Sequence, residues 1–355
     1  MLTTKEADMD LSERKLKILQ AIIYDFIKTA EPVGSRTLSK NYDLGISPAT
    51  IRNEMSDLEE MGYLSHPHTS SGRVPSEKAY RLYVDRMMDK RELTVVEKNS
   101  IAQSLYNNVT ELESIVERAA HILSEITNLT AFAMTPRQDE DTLKYVNLLP
   151  VDERTVVLMI VSDSGKVSNT ALKINKPVSQ ETLSLLSKNM TYSFKGKTIS
   201  EALTLDIIET FRNDAESMAM YEQTIVPSFI KTLEDMLNVN LYMDGYTNIF
   251  SLPEYSDIDK AKMFFEMIGR KDDFAQKLIN RDNGMIITIG NENQDEQLAD
   301  CSLVTATYHI NGKQVGKIGV IGPTRMKYGE VTSVMEFLSE NISQAFKIAE
   351  GDDDE

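Results

Sequence analysis

Apolar residues near the start of the chain recur at spacings of three and four. Leu16, Leu19, Ile23, Phe26, Ile27 and Ala30 form one stripe, which predicts a helix over 12–29. Ser12 stands where an N-cap hydroxyl is needed, and Glu31-Pro32 stops the helix because the residue before a proline avoids the α region. A short helix is expected over 35–41, with Ser35 as N-cap and Leu38 buried, followed by a turn over 41–45. The third helix has the clearest start signal. Ser47 is its cap and Pro48 occupies the first helical position, where a missing N–H costs nothing. Ile51, Met55 and Leu58 then face inward, so Ala49, Thr50, Arg52, Asn53 and Ser56 point outward, and Gly62 ends the helix. Tyr63-Leu64 opens a strand, Thr69-Ser70-Ser71-Gly72 is a loop tip, and Arg73-Val74 returns. Three helices followed by such a hairpin predict a winged helix-turn-helix. A further helix over 76–90 carries Tyr80, Tyr83, Val84 and Met87 on one side, with a linker near 91–96.

The same reading gives a long helix over 96–128, after which the period switches to two. Strands are expected at 130–134, 145–149 and 155–161, with Asp163-Ser164-Gly165-Lys166 as a hairpin turn and a return strand over 167–174. The stretch 177–244 reads as helical and rich in Leu and Met, including Met218, Met220, Met236 and Met243. Strands resume at 247–250, 285–289, 303–310 and 314–321, with helices over 258–274 and 328–349. The pattern predicts an α+β multidomain chain in which one sheet is interrupted by a helical insertion.

Composition narrows the classes. A chain of 355 residues is too long for one ordinary core. No run approaches the roughly 20 apolar residues of a membrane span, and residues 1–10 lack the apolar core of a secretory signal. The single cysteine, Cys301, fits a reducing cytoplasm and reads as a small buried residue before an apolar run. A net charge of −17 argues against nucleic acid until its distribution is considered. Residues 1–91 carry 14 Lys+Arg and 14 Asp+Glu, so the whole deficit lies beyond them. A neutral head on an acidic body confines any DNA contact to the head.

Arg52 and Asn53 are the side-chain types that make bidentate contacts to guanine and adenine, and they fall near the start of the third helix, the part of a recognition helix that enters the major groove. Ser47, Thr50 and the free N–H groups of that turn suit a phosphate. In the hairpin, His66, His68, Thr69, Ser70, Ser71 and Arg73 offer donors with no acidic residue over 65–76, and Lys78 and Arg81 extend the basic side. The His66-Pro67-His68 pair lacks a third ligand, so no metal is expected. Asn311-Gly-Lys-Gln lacks the spacing of a phosphate loop, and Gly316, Gly319 and Gly322 do not open a helix after a strand, so neither an enzyme nor a cofactor is expected.

Glu31-Pro-Val-Gly-Ser-Arg-Thr-Leu38, Ile46-Ser-Pro-Ala-Thr-Ile-Arg-Asn-Glu-Met55 and His68-Thr-Ser-Ser-Gly-Arg-Val-Pro75 closely resemble the heat-inducible transcription repressor family HrcA. Lys78-Ala-Tyr-Arg-Leu-Tyr-Val-Asp85, Ile289-Gly-Asn-Glu-Asn293 and Gly319-Val-Ile-Gly-Pro-Thr-Arg-Met326 continue the resemblance along the chain. It implies a winged-helix DNA-binding domain (1–92), a discontinuous GAF-like domain (96–176 and 246–349), an inserted dimerisation domain (177–245) and an acidic tail (350–355). It also implies a homodimer on the inverted-repeat CIRCE operator upstream of chaperone operons such as grpE-dnaK-dnaJ and groESL, kept active by the GroEL chaperonin. The full DNA-facing set is then Ser35, Arg36, Thr37, Ser47, Pro48, Thr50, Arg52, Asn53, His66, His68, Thr69, Ser70, Arg73, Lys78 and Arg81. An alternative is a regulator gated by a small-molecule effector, with Asn291, Glu292 and Asn293 lining a pocket of the GAF-like domain.

Overall fold

The computed structural model describes residues 11–67, 72–106, 112–135, 141–205, 221–237, 239–310 and 313–350. The chain divides into two compact units, one of 1–135 with 241–355 and one of 136–240. Among the described residues, no helix is long and apolar enough to cross a membrane.

The larger unit begins with α1 (Glu13–Thr29), α2 (Ser35–Asn41) and α3 (Pro48–Glu60), followed by the short antiparallel pair β1 (Leu64–Ser65) and β2 (Val74–Pro75). Ser12 caps α1 through the Lys15 N–H, and α1 ends at Ala30 in the left-handed region. Ile18, Leu19, Ile22, Leu38, Ile51 and Leu58 are fully buried where the three helices meet. The first helical residue of α2 is Ser35 itself. Gly34 takes the cap position with no side-chain bond. The cause lies upstream: Val33 and Arg73 exchange backbone hydrogen bonds at 2.9 Å, which holds the chain extended up to Gly34. Gly72 permits this approach, since a Cβ there would overlap the Val33 backbone.

The helix α4 (Glu77–Leu82) is capped by Ser76 and widens into a π turn, Tyr83–Met87. Then come α5 (Val95–Tyr106) and α6 (Leu112–Thr127), two helices where one was expected, with 107–111 between them outside the described residues.

The expected single sheet is two. β3 (Thr130–Met134) joins β7 (Leu241–Asp244), β8 (Ile286–Ile289), β9 (Cys301–Ile310) and β10 (Lys313–Pro323) in an antiparallel sheet of order β7-β3-β10-β9-β8. Residues 241–244, read as helical, form the edge strand of this sheet. Four residues are too short for periodicity to separate strand from helix. Residues 247–250, read as a strand, lie in a 3-10 helix, Tyr246–Ser251, begun by Gly245 at φ 72°. Asn248 donates from Nδ2 to Ser124 Oγ and to the Leu129 carbonyl, each at 3.2 Å, which fixes that turn against the end of α6. The helix expected over 258–274 breaks at Arg270 into Ile258–Gly269 and Lys271–Ile279.

One face of the sheet carries Ala131, Ala133, Val304 and Val320 into a core shared with α6 and the last helix, Tyr328–Glu350. Phe132, pointing the opposite way by strand alternation, meets Phe274 edge to face at 5.5 Å. From β10, the buried Lys317 ammonium donates to the Leu278 carbonyl at 2.8 Å, satisfying the end of the helix Lys271–Ile279.

In the smaller unit, β4 (Leu143–Pro150), β5 (Thr155–Ser162) and β6 (Val167–Lys173) form their own antiparallel sheet. Val146, Leu148, Val156, Leu158, Ile160 and Leu172 turn one face onto α7 (Gln180–Phe194), α8 (Ile199–Thr204) and α9 (Val226–Leu237). Phe194 and Phe229 meet there at 4.8 Å between ring centroids. The outer edge of β4 is closed by hydroxyls one turn apart on α7. Thr191 exchanges hydrogen bonds with both backbone groups of Val146, at 3.1 and 3.0 Å, and Ser187 accepts from the Leu148 N–H at 2.8 Å. Met236 is part of this core, whereas Met218 and Met220 lie outside the described residues.

Gly319 marks tight packing in the large sheet, because a Cβ there would overlap the Val304 carbonyl and the Phe132 ring. Gly319→Ala is expected to lower stability by about 1–3 kcal/mol. Urea unfolding measures this, and an unchanged midpoint would mean that the β9–β10 contact yields without cost.

Candidate nucleic-acid interface

The third helix presents the candidate surface as its sequence pattern requires. Ser47 Oγ accepts from the Thr50 N–H at 3.1 Å and meets Thr50 Oγ1 at 3.0 Å, and Pro48 fills the first helical position. Ile51, Met55 and Leu58 are buried, which turns Arg52, Asn53 and Ser56 fully outward. Arg52 and Asn53 have no hydrogen-bond or ion-pair partner among the described residues. Arg36 and Thr37, exposed on α2, are likewise uncommitted, and Ser35 beside them is half-buried.

The same helix carries four acidic residues, and charged neighbours hold three of them. Lys15 Nζ on α1 donates to Glu54 at 2.6 Å and to Asp57 at 2.7 Å, while Arg14 reaches Glu54 at 3.4 Å. Hydrogen bonding to Asp57 and then Glu54 raises the Lys15 ammonium above the ordinary lysine value, so it stays charged. Arg73 ties down the third acid, with Nε donating to Glu59 at 2.8 Å and Nη2 lying 2.7 Å from the same oxygen. Its remaining nitrogen, Nη1, meets His66 Nε2 at 2.6 Å. Arg73 is therefore a bracket between hairpin and α3. His66 itself is exposed beside it. His68, Thr69 and Ser70, the expected hairpin tip, lie outside the described residues.

On α4, Lys78 sits 4.2 Å above the Tyr63 ring and donates to the Met61 carbonyl at 3.2 Å, with the residue still exposed. Arg81 is committed to the body. It pairs with Glu292 through two nitrogens and donates to the Ile287 carbonyl at 2.6 Å, far along the chain. The Glu292 carboxylate raises its pKa further above the ordinary value. Sequence pattern thus found that Arg52 and Asn53 are exposed but missed the pairing of Arg14 and Lys15 with α3. The only available signal was the three-residue spacing of Glu54 and Asp57 opposite two adjacent cations, and that pairing is between helices.

The motif over 289–293, a candidate effector pocket, is filled by its own bonds. Asn293 Nδ2 donates to the carbonyls of Gly290, Leu298 and Cys301 at 2.9–3.2 Å, and Asn291 donates to Glu77. A shallow cavity of about 240 Å³ lies elsewhere, lined by Met267, Arg270, Asp273, Phe274, Gln276, Lys277 and Gln297. Cys301 is buried against Tyr255 at 3.3 Å, and burial pushes its thiol up to about 11. Among the described residues no group of three His, Cys, Asp or Glu is placed to hold a metal ion.

Comparison with known proteins follows the same outline. The family model described as "HrcA protein C terminal domain" matches residues 113–332. The chain is 42% identical over 340 residues to a heat-inducible transcription repressor HrcA of Alkaliphilus metalliredigens, covering 96% of this chain and 99% of the relative. It is 41% identical to the protein of the same name from Clostridium tetani, covering 96% and 97%. A crystal structure described as that of "a hypothetical protein at 2.2 A resolution" superposes with a TM-score of 0.58 at 22% identity, covering 96% and 98%, and shows the fold alone. With identity of this order across nearly its whole length, the chain belongs to the HrcA family.

Proposed function

We propose that this chain is a transcription repressor that lowers expression of heat-shock genes, reading DNA with α3. The observation that carries this reading is the outward, uncommitted Arg52-Asn53 pair on the first turns of a Ser47-capped helix. The helices α1–α3 and the pair β1–β2 would then be a winged helix-turn-helix, with α3 in the major groove and Ser47, Thr50 and the free N–H groups of that turn against a phosphate. Arg36 and Thr37 flank α3. His66, Lys78 and the hairpin tip 68–71 would meet the backbone alongside.

An inverted-repeat operator such as CIRCE calls for two heads related by a two-fold axis. The unit 136–240 offers a surface for that pairing. The face of its sheet opposite α7 and α9 aligns Tyr145 with Val161 and Val167, and Leu149 with Val157 and Ala171. Tyr145, Leu149 and Val167 are 46%, 47% and 53% exposed. Seven of the nine positions in the three central rows of this face are apolar, with Asn147 and Asn169 flanking Met159, so a second copy of the same face is its fitting occupant. The remainder of the larger unit is read as the GAF-like body, and the GroEL chaperonin as the partner that keeps the repressor folded. Heat would then act through the body: when it loosens, the spacing of the heads is lost.

Gel-shift titration against a palindromic operator and a scrambled duplex tests the reading. Equal affinity for both would refute it. Arg52→Ala should cost roughly 1–3 kcal/mol on the operator and relax preference at one base position. Uniform weakening on every duplex would assign Arg52 to phosphate instead. Lys15→Gln releases Glu54 and Asp57 beside the DNA and should weaken binding about threefold to tenfold at low salt, with recovery in Lys15→Gln/Glu54→Gln. Failure of the double variant to recover would tie Lys15 to DNA directly. Val167→Glu should convert the dimer to monomer in sedimentation analysis while the melting temperature of the unit is kept. A dimer that persists would place the two-fold contact elsewhere.

A further inference from the structure

Two polar side chains of α4, one turn apart, bond to the body. Glu77 accepts from the Asn291 N–H at 3.3 Å and from Asn291 Nδ2 at 3.2 Å. Arg81 Nε donates to Glu292 Oε1 at 2.8 Å, and Nη2 donates to Glu292 Oε2 and to the Ile287 carbonyl. The third nitrogen, Nη1, goes to Asp85 at 3.1 Å. The receiving end is equally fixed. Glu292 also accepts from the Ile289 N–H at 2.9 Å, and Gly290, at φ 56°, packs so closely under Glu77 that a Cβ would overlap its carboxylate. All three guanidinium nitrogens of Arg81 therefore have acceptors within the larger unit.

We propose that Arg81 and Glu292 are positioning residues that set the direction of the reading head on the body, and so the half-site separation that a dimer accepts. The inference rests on the DNA-reading role of α3. Beside this pair, Tyr80 packs on Tyr328 with ring centroids 6.3 Å apart. Apolar contact of that kind is strong but non-directional, and tolerates rotation of one surface on the other. A guanidinium gripping a carboxylate through two nitrogens has one geometry, and like-charged or unpaired alternatives are excluded. Glu77 and Arg81 lie at i and i+4, on one face of α4, so the two polar contacts define a line and not a pivot. At 31% and 36% side-chain exposure the ion pair is screened, so its contribution is to angle more than to adhesion.

The test uses the full chain with Arg81→Glu, Glu292→Arg and the double exchange Arg81→Glu/Glu292→Arg. Each is measured on inverted repeats whose half-site separation varies one base pair at a time, and on a non-specific duplex. The single variants should bind the best wild-type duplex about tenfold more weakly and lose their preference among separations, with non-specific affinity changed less than about twofold. The double exchange should recover both affinity and preference. If it recovers the melting temperature but not operator binding, Arg81 touches DNA and the proposal is wrong. Single variants that keep the wild-type preference would overturn it as well. Glu292→Gln gives an independent sign: a freed phosphate-binding Arg81 predicts tighter, more salt-dependent binding, whereas the positioning role predicts loss.

A fluorophore on Ser56→Cys reads the head without DNA. Time-resolved anisotropy should gain a fast component in both single variants and lose it in the double exchange. Its absence would refute the positioning role. Wild-type protein that prefers no inverted repeat would instead refute the DNA reading, leaving the anisotropy result to judge the pair.

Discussion

One apolar core joins the N-terminal helices to the rest of the larger unit, and the geometry of the candidate interface depends on it. Ile18, Leu19 and Ile22 of α1, Ile51 and Leu58 of α3, and Tyr80 of α4 belong to the same buried cluster as Tyr328, Val331, Val334 and Leu338 of the last helix. The head is therefore not a bead on a linker. Turning it away would expose Tyr80 and Tyr328, each almost completely buried, and large aromatic rings contribute most per residue to such contacts. Arg325 adds a polar tie on the α1 side. It pairs with Glu254 and donates from Nη1 to the Ile27 carbonyl at 3.1 Å, satisfying one of the four open carbonyls at the end of that helix.

That anchoring places an acidic body next to the surface read as DNA-binding, in a chain of net charge −17. Local pairing resolves the conflict. Lys15 holds Glu54 and Asp57, Arg73 holds Glu59, and Glu77 is turned toward Asn291, so these four acids of α3 and α4 are engaged by neighbours. Arg36 and Arg52 keep their charge unshared. A head whose total charge is zero thus keeps Arg36 and Arg52 open while other cations hold Glu54, Asp57 and Glu59.

Local signals were legible in the sequence where one residue and its next few neighbours decide the outcome. Ser12 and Ser47 cap the helices expected of them, Pro48 opens α3, and Arg52 and Asn53 face outward because Ile51 and Met55 face in. Signals that depend on a distant partner were not. Strand periodicity says which face of Leu143–Pro150 is buried but not which strand it joins, so two sheets read as one. Ser35 has the composition of a cap, yet Arg73, far along the chain, holds Val33 extended and leaves the cap position to Gly34. Arg73 and Arg81 have the composition of phosphate ligands, and only folding brings Glu59 and Glu292 to them.

The division into two units has a consequence for how a repressor of this kind responds to temperature. Side-chain hydroxyls close the β4 edge within 136–240, and the open apolar sheet face there is the back of a sheet with a core of its own. The N-terminal helices share their core with the rest of the larger unit instead. On the proposed reading, pairing and head direction are thus maintained by separate cores. Tight operator binding needs both, because the second head gains affinity from effective concentration only while the two are held at the right span. On that reading, loosening the core of 136–240 removes that gain without unfolding α3 or altering Arg52, because α3 belongs to the other core. On the proposed reading such a protein would release DNA when the core of 136–240 loosens, at a lower cost than unfolding α3, and what would then be restored is the pairing of heads that have stayed folded.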